Sequence, residues 1–90
     1  GHVSIPKKYR PYAVVQTVSG KTGQIDRIIY GEDGTMVKQI HAGNHGYPNK
    51  HRYGKNGEHA HDYIWEKDGT LKRASRELSD TERKEHSDIV

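Results

Sequence analysis

The histidines are the residues of this chain best suited to acid–base or metal chemistry. Five of the seven lie in the range from His41 to His61. His59 and His61 flank Ala60 at the start of an aromatic and β-branched run, which predicts a strand. Alternate residues of a strand point to the same face, with roughly 7 Å between their Cα atoms. Because imidazoles change charge near neutral pH and also bind metals, this pair could act on a substrate or hold an ion.

Two chemistries fit the pair, and a purely structural role is the third possibility. A neutral and a protonated imidazole could act as base and acid on a phosphodiester. The candidates for that catalytic role are His59, His61, His51 and His45. Alternatively, His59 and His61 could bind a transition metal, with His41, His45 or His51 as the third ligand and one position open for water. An imidazole pair beside aromatic residues can also simply pack and form hydrogen bonds.

A glycine-rich segment between Gly43 and Gly57 precedes the pair and contains no acidic residue. It carries basic and aromatic side chains, a composition expected for phosphate contacts with ring stacking. The predicted nucleic-acid-binding residues are Lys50, Arg52, Lys55, Tyr47 and Tyr53. Glu58 and Asp62, which flank the histidine pair, are candidates to orient an imidazole.

Composition limits the classes of protein that the chain can represent. The 90 residues are 30% hydrophobic and 30% charged, with a formal charge of +3, so the core must be small. Cysteine is absent, which excludes disulfides, thiolate nucleophiles and cysteine-bound zinc. The basic residues are concentrated before residue 58 and the acidic residues after it, which favours a phosphate-bearing partner for the first part.

Turn residues and alternating patterns predict an α+β fold. Strands are expected at 12–18, 25–30, 35–40, 58–66 and 70–75, where the last four form two hairpins around Asp33-Gly34 and Asp68-Gly69. Together they predict a small twisted antiparallel sheet of about five strands. The simplest register of the first hairpin places Arg27 opposite Lys38, and like charges across a strand pair repel. Either the register is shifted or an anion lies between the two side chains, and we favour the shifted register.

Ser79 followed by Glu82 is a capping-box pattern, which predicts one short C-terminal helix. Only Leu78 and Ile89, near the ends of this segment, are apolar, so the helix is expected to rest loosely on the sheet.

The predicted organisation is a single small domain over residues 12–90, preceded by an extended basic arm over residues 1–11. Gly1-His2 is interpreted as a remnant of a purification tag. No segment is apolar enough for a signal or a membrane span, so we expect a soluble protein, cytoplasmic or delivered as part of a larger one.

The second half of the chain resembles a known group of protein domains. The run GNHGYPNKHRYGKNGEHAHDYIW, followed by RELSDTERKE, resembles small histidine-rich C-terminal domains of phage head-associated proteins and bacterial polymorphic toxins. The resemblance implies an excisable terminal module, which in some relatives is a suspected toxin acting on RNA. It implies no particular catalytic residues.

The leading functional expectation is therefore a metal-independent ribonuclease that needs no cofactor, with RNA or another nucleic acid as its partner. A non-catalytic phage-associated or scaffold binding module is the alternative, with a protein partner or inhibitor also possible. A zinc site is the third interpretation.

Overall fold

The computed structural model describes residues 7–43, 54 and 56–90. Within them, five strands form one antiparallel sheet in which each strand pairs with the next along the chain. The elements are β1 (Val14–Val18), β2 (Ile25–Tyr30), β3 (Met36–His41), β4 (His59–Trp65), β5 (Leu71–Arg76) and the helix α1 (Asp80–Glu85). The predicted sheet and short C-terminal helix are confirmed, whereas most of the glycine- and histidine-rich loop lies outside the described residues.

The two hairpin turns share one chemistry. Gly34 and Gly69 both adopt positive φ angles, of 79° and 87°, which glycine tolerates best. In each turn the preceding aspartate accepts a hydrogen bond from the backbone of the threonine two residues later, at 2.9 Å. The repeated Asp-Gly-Thr sequence therefore closes both hairpins in the same way.

A β-bulge changes the register of the first hairpin. Tyr30 pairs with Met36, but Ile29 pairs with Lys38, so Val37 is the extra residue. Arg27 consequently opposes Ile40 instead of Lys38, and the expectation of a shifted register is confirmed.

The bulge also moves a side chain between faces. Met36 therefore lies on the face of Ile28 and Tyr30, with which it packs, and on the opposite face from Ile40.

The sheet has a small apolar cluster on each face. Ile28, Tyr30 and Met36 form the first cluster, on the same face as the histidines of β3 and β4, which we call the histidine face. Ile40, Ala60 and Leu78 form the second, which Ile89 and Val90 contact from the C-terminus. We call this the helix face, because the C-terminal segment covers it.

The capping box of α1 is present in full: Ser79 Oγ accepts from Glu82 N, and the Glu82 carboxylate accepts from Ser79 N. The expectation that the helix rests loosely on the sheet is wrong. Glu82 is only 3% exposed, and Lys38 and Arg76 of the sheet both donate to its carboxylate. The buried Glu82 carboxylate, with its two partly exposed cationic partners, holds the helix on the sheet beside the apolar contacts of the C-terminal segment.

The described part of the predicted arm lies against the first hairpin turn. Tyr9 donates its backbone N–H to Gly34 O at 2.8 Å, and its ring lies 5.7 Å from that of Tyr30. Tyr12, expected to begin the leading strand, has a φ of 59° and precedes it. Among the described residues, no helix has the length and apolarity needed to cross a bilayer.

Candidate metal centre

Three histidines meet on the histidine face, where β3 and β4 run side by side. His41 is directly opposite His59 in the ladder, and Gln39 is opposite His61. Because alternate residues share a face, all four side chains project to the same side. The three imidazoles are 6%, 0% and 2% exposed in chain order, so the cluster is buried.

The rings are close and mutually edge-on. Their centroids are 4.6 to 4.9 Å apart, with interplanar angles between 65° and 85°. One nitrogen from each of His41, His59 and His61 can be chosen so that all three lie within 4.8 Å of one another. Sheet pairing alone therefore gathers three nitrogen ligands around one point.

A backbone carbonyl fixes the orientation of His59. Its Nδ1 lies 2.7 Å from Gly57 O, and because a carbonyl oxygen only accepts, Nδ1 carries the hydrogen. In the neutral ring, Nε2 then carries the lone pair. Gly57 has a φ of 79°, a conformation that glycine adopts without strain.

Side chains anchor the other two rings. His61 Nδ1 lies 2.8 Å from Ser75 Oγ, a residue directly opposite it on β5. His41 Nε2 lies 2.8 Å from Gln39 Oε1, which accepts and thereby leaves the lone pair of neutral His41 on Nδ1. Each imidazole thus has one nitrogen held by an oxygen, the arrangement common around metal-bound histidines.

The contact between His59 Nε2 and His61 Nε2, at 3.1 Å, is the most informative distance in the cluster. Two lone pairs would repel at this distance, so a hydrogen or a cation must lie between the nitrogens. A tetrahedral zinc ion bound at about 2.0–2.1 Å places two ligand nitrogens about 3.3 to 3.4 Å apart. The observed separation is slightly shorter than that value and also suits an N–H···N hydrogen bond, so the distance is compatible with either arrangement.

Without a metal, the same atoms form a proton relay. Ser75 Oγ–H would donate to His61 Nδ1, His61 Nε2–H to His59 Nε2, and His59 Nδ1–H to Gly57 O. Ser75, at one end of this hydrogen-bond relay, is exposed to solvent. The cluster can therefore hold either a metal or a directed hydrogen-bond chain.

Apolar residues and one carboxylate border the cluster. Ile28, Tyr30 and Met36 lie on the same face of the sheet. Asp26 is the neighbouring carboxylate in the ladder, directly opposite His41, and it accepts from Gln24 Nε2 at 2.7 Å. It is placed at the border of the cluster.

The two predicted orienting acids lie elsewhere. Asp62 projects to the helix face, where its carboxylate accepts from Arg76 at 2.6 Å, so the expectation that it orients an imidazole is wrong. Glu58 accepts from Arg83 at 2.7 Å and from the backbone of Asn56 at 2.8 Å. Burial alone would raise the pKa of Glu58, but these hydrogen bonds and one from its own backbone lower it overall.

The remaining predicted residues cannot be placed in the same way. His45, His51, Lys50, Arg52, Lys55, Tyr47 and Tyr53 all lie outside the described residues.

Ion pairs on the helix face support the strands that carry the histidine cluster. Arg76 joins Asp62 of β4 to Glu82 of α1, and Lys38 of β3 also reaches Glu82, at 2.9 Å. The hydrogen bonds from Arg76, followed by those from Ser79 and Lys38, hold the pKa of Glu82 far below its usual range despite burial. The strands that carry the histidines are thereby tied together on both faces.

Three positioning residues were absent from the sequence prediction: Gln39, Gly57 and Ser75. A signal existed for Ser75. Extending the ladder outward from the Asp68-Gly69 turn places it opposite His61, as the structure has it. Gln39 could also have been inferred, because it precedes His41 by two residues on one strand.

Comparison with protein-family models, with curated proteins and with solved structures gives no match to this chain. The function is therefore derived from the chemistry of the cluster.

Proposed function

We propose that this chain is a transition-metal-binding domain in which His41, His59 and His61 hold one zinc ion. The observation that carries the proposal is the 3.1 Å approach of His59 Nε2 to His61 Nε2, while the other nitrogen of each ring is held by an oxygen. The third histidine is close enough to complete a three-nitrogen set.

The donor set selects the class of metal. Imidazole nitrogens suit zinc and its neighbours in the first transition row, whereas calcium and magnesium require oxygen ligands. Three histidines leave the fourth tetrahedral position to water or to another ligand. A water bound there would ionise near neutral pH, which would give the domain hydrolytic capacity.

Composition supports a phosphodiester as the substrate class. The segment that connects β3 to β4 is basic and aromatic, and it begins and ends beside the histidine cluster. Cationic side chains attract the phosphate backbone of RNA or another nucleic acid. The proposed activity is therefore zinc-assisted hydrolysis of nucleic acid.

The test of metal binding compares zinc-loaded and chelator-treated protein. We expect one zinc ion per chain by elemental analysis. A zinc concentration 100 times the Kd stabilises the folded state by about 2.7 kcal/mol. For a domain of this size, that raises the thermal midpoint by about 10 to 20 °C.

Matched variants identify the ligands. His59→Gln and His61→Gln should each abolish the midpoint shift. His86→Gln should keep it, because His86 is a buried histidine on the helix face. If folded wild-type protein shows neither stoichiometric zinc nor a midpoint shift, the proposal fails.

A metal-independent ribonuclease is the second candidate, and the Ser75–His61–His59 hydrogen-bond chain favours it. RNA cleavage in excess chelator separates the two. Cleavage that persists with chelator and is lost in Ser75→Ala and His61→Gln would support the relay. If zinc binds tightly but RNA stays intact, the site is structural and the domain is a binding module.

A further inference from the structure

The outer edge of β1 has a row of backbone groups directed away from the sheet. Tyr30 N donates to Ala13 O at one end of β1, and Ser19 N donates to Gln24 O at the other, so the odd-numbered residues bond to β2. Because hydrogen-bonding direction alternates along an antiparallel pair, Val14, Gln16 and Val18 direct their N–H and C=O groups outward. In the described part of the chain, no strand pairs with this edge.

The two edges of the sheet differ in protection. Proteins usually protect edge strands with charged residues, proline or bulges, which discourage pairing with other chains. β5, with the sequence LKRASR, carries three cations. β1, with the sequence VVQTV, has no charge and no proline, and its ladder with β2 is regular throughout. In the part of the chain that the structure describes, the β1 edge therefore lacks the charges, proline and bulges that discourage pairing.

The side chains at this edge are apolar and exposed. Val14 and Val18 are 55% and 62% exposed, and they share one face of β1 with Gln16. The nearest charged side chain on that face is Arg27, which already binds Asp88 and donates to Gln16 Oε1. An approaching strand therefore meets valines and a neutralised ion pair.

We propose that two copies of this chain associate through their β1 edges, as an antiparallel pair with a two-fold axis at Gln16. In this register Val14 opposes Val18 of the second copy and Gln16 opposes itself, and these pairs are of the hydrogen-bonded type. Two valine pairs then flank the central glutamine pair. No charged residue opposes another in this pairing, which a two-fold dimer of uncharged strands satisfies and a charged partner strand would not.

The expected dimer is weak. Five-residue strands bury much less than the roughly 800 Å² per partner of a standard stable interface. We therefore expect rapid exchange, with a Kd on the order of 0.1 to 1 mM. The association is independent of the metal centre, because β1 contributes none of the three histidines.

The test is sedimentation velocity on the folded protein between about 10 µM and about 1 mM, where the weight-average mass should rise with concentration. Gln16→Pro removes an outward N–H at the centre of the interface and leaves the β1–β2 hydrogen bonds in place, so we expect at least a tenfold weaker association. Gln16→Ala is the control, because it loses the side chain and keeps the N–H.

Two results would overturn the proposal. One is that the wild type remains a monomer at about 1 mM. An extended segment of another protein would then be the partner that the β1 edge fits. The other is equal self-association of wild type and a folded Gln16→Pro variant, which would place the interface elsewhere. If Gln16→Ala dimerises like wild type and Gln16→Pro does not, backbone pairing at β1 is the mechanism.

Discussion

Replacement of Glu82 by Gln tests whether one buried carboxylate holds α1 on the sheet. The substitution keeps the size of the side chain and removes its charge. In the structure this carboxylate accepts hydrogen bonds from Arg76 at 2.7 and 2.8 Å, from Lys38 at 2.9 Å and from Ser79 N at 2.9 Å. The variant would leave both cations without their shared partner.

The size of the effect follows from burial. Removing one member of a fully buried ion pair costs about 3 to 5 kcal/mol. The Glu82 side chain is 4% exposed, but those of Arg76 and Lys38 are 37% and 27% exposed and can regain water. We therefore expect Glu82→Gln to lower the free energy of unfolding by about 2 to 4 kcal/mol. The thermal midpoint should fall by about 8 to 30 °C.

Urea and thermal unfolding at several pH values measure this effect, with the exposed residue Glu85→Gln as the control. The folded-state pKa of Glu82 lies below its unfolded value, so its stabilisation is present above about pH 4.5 and is lost as pH falls further. Glu82→Gln should therefore flatten the acid side of the stability profile. A loss no greater than that of Glu85→Gln would refute the role assigned to the ion pair.

Three further predictions concern other positions. Ser75→Ala should weaken zinc binding about 10- to 100-fold by calorimetry without abolishing it, and Ser75→Thr should restore it. Burial is the main cause that lowers the pKa of His86, and a nearby guanidinium is the second. Wild-type stability should therefore fall as pH drops below about 6.5. His86→Gln should reduce that fall, as measured by urea titrations. Gly34→Ala should lower the thermal midpoint more than Gly69→Ala. Both glycines have positive φ, but only the Cβ added at Gly34 meets Tyr9 O. Equal decreases in the midpoint would contradict the importance of this contact.

Local patterns predicted most of the fold. The two Asp-Gly-Thr turns and the alternation around them located four strands to within about two residues, since turn chemistry depends on adjacent residues. The bulge opposite Ile29 and Tyr30 was only partly foreseen. A charge conflict indicated a shifted register, but the placement of Met36 on the other face depends on packing against Ile28, which no local pattern encodes.

The site was predicted in part for the same reason. Strand periodicity placed His59 and His61 on one face, and it should also have excluded Asp62, which points to the opposite face. Sequence offered His41 only as one possible partner, because its proximity depends on the pairing of β3 with β4. Burial of all three rings was not foreseen, since a polar composition gives no indication of which residues the small core covers.

The order of strands in the sheet has a consequence for folding. Each hairpin is closed by a short turn, and such hairpins form within about 1–10 µs. The junction between β3 and β4 instead requires closure of segment 42–58, and the entropic cost of closing a loop grows with its length. His41 belongs to the first hairpin, and His59 and His61 belong to the second. The three histidines therefore come together only when the hairpins dock, so zinc binding at the proposed site would report on that docking.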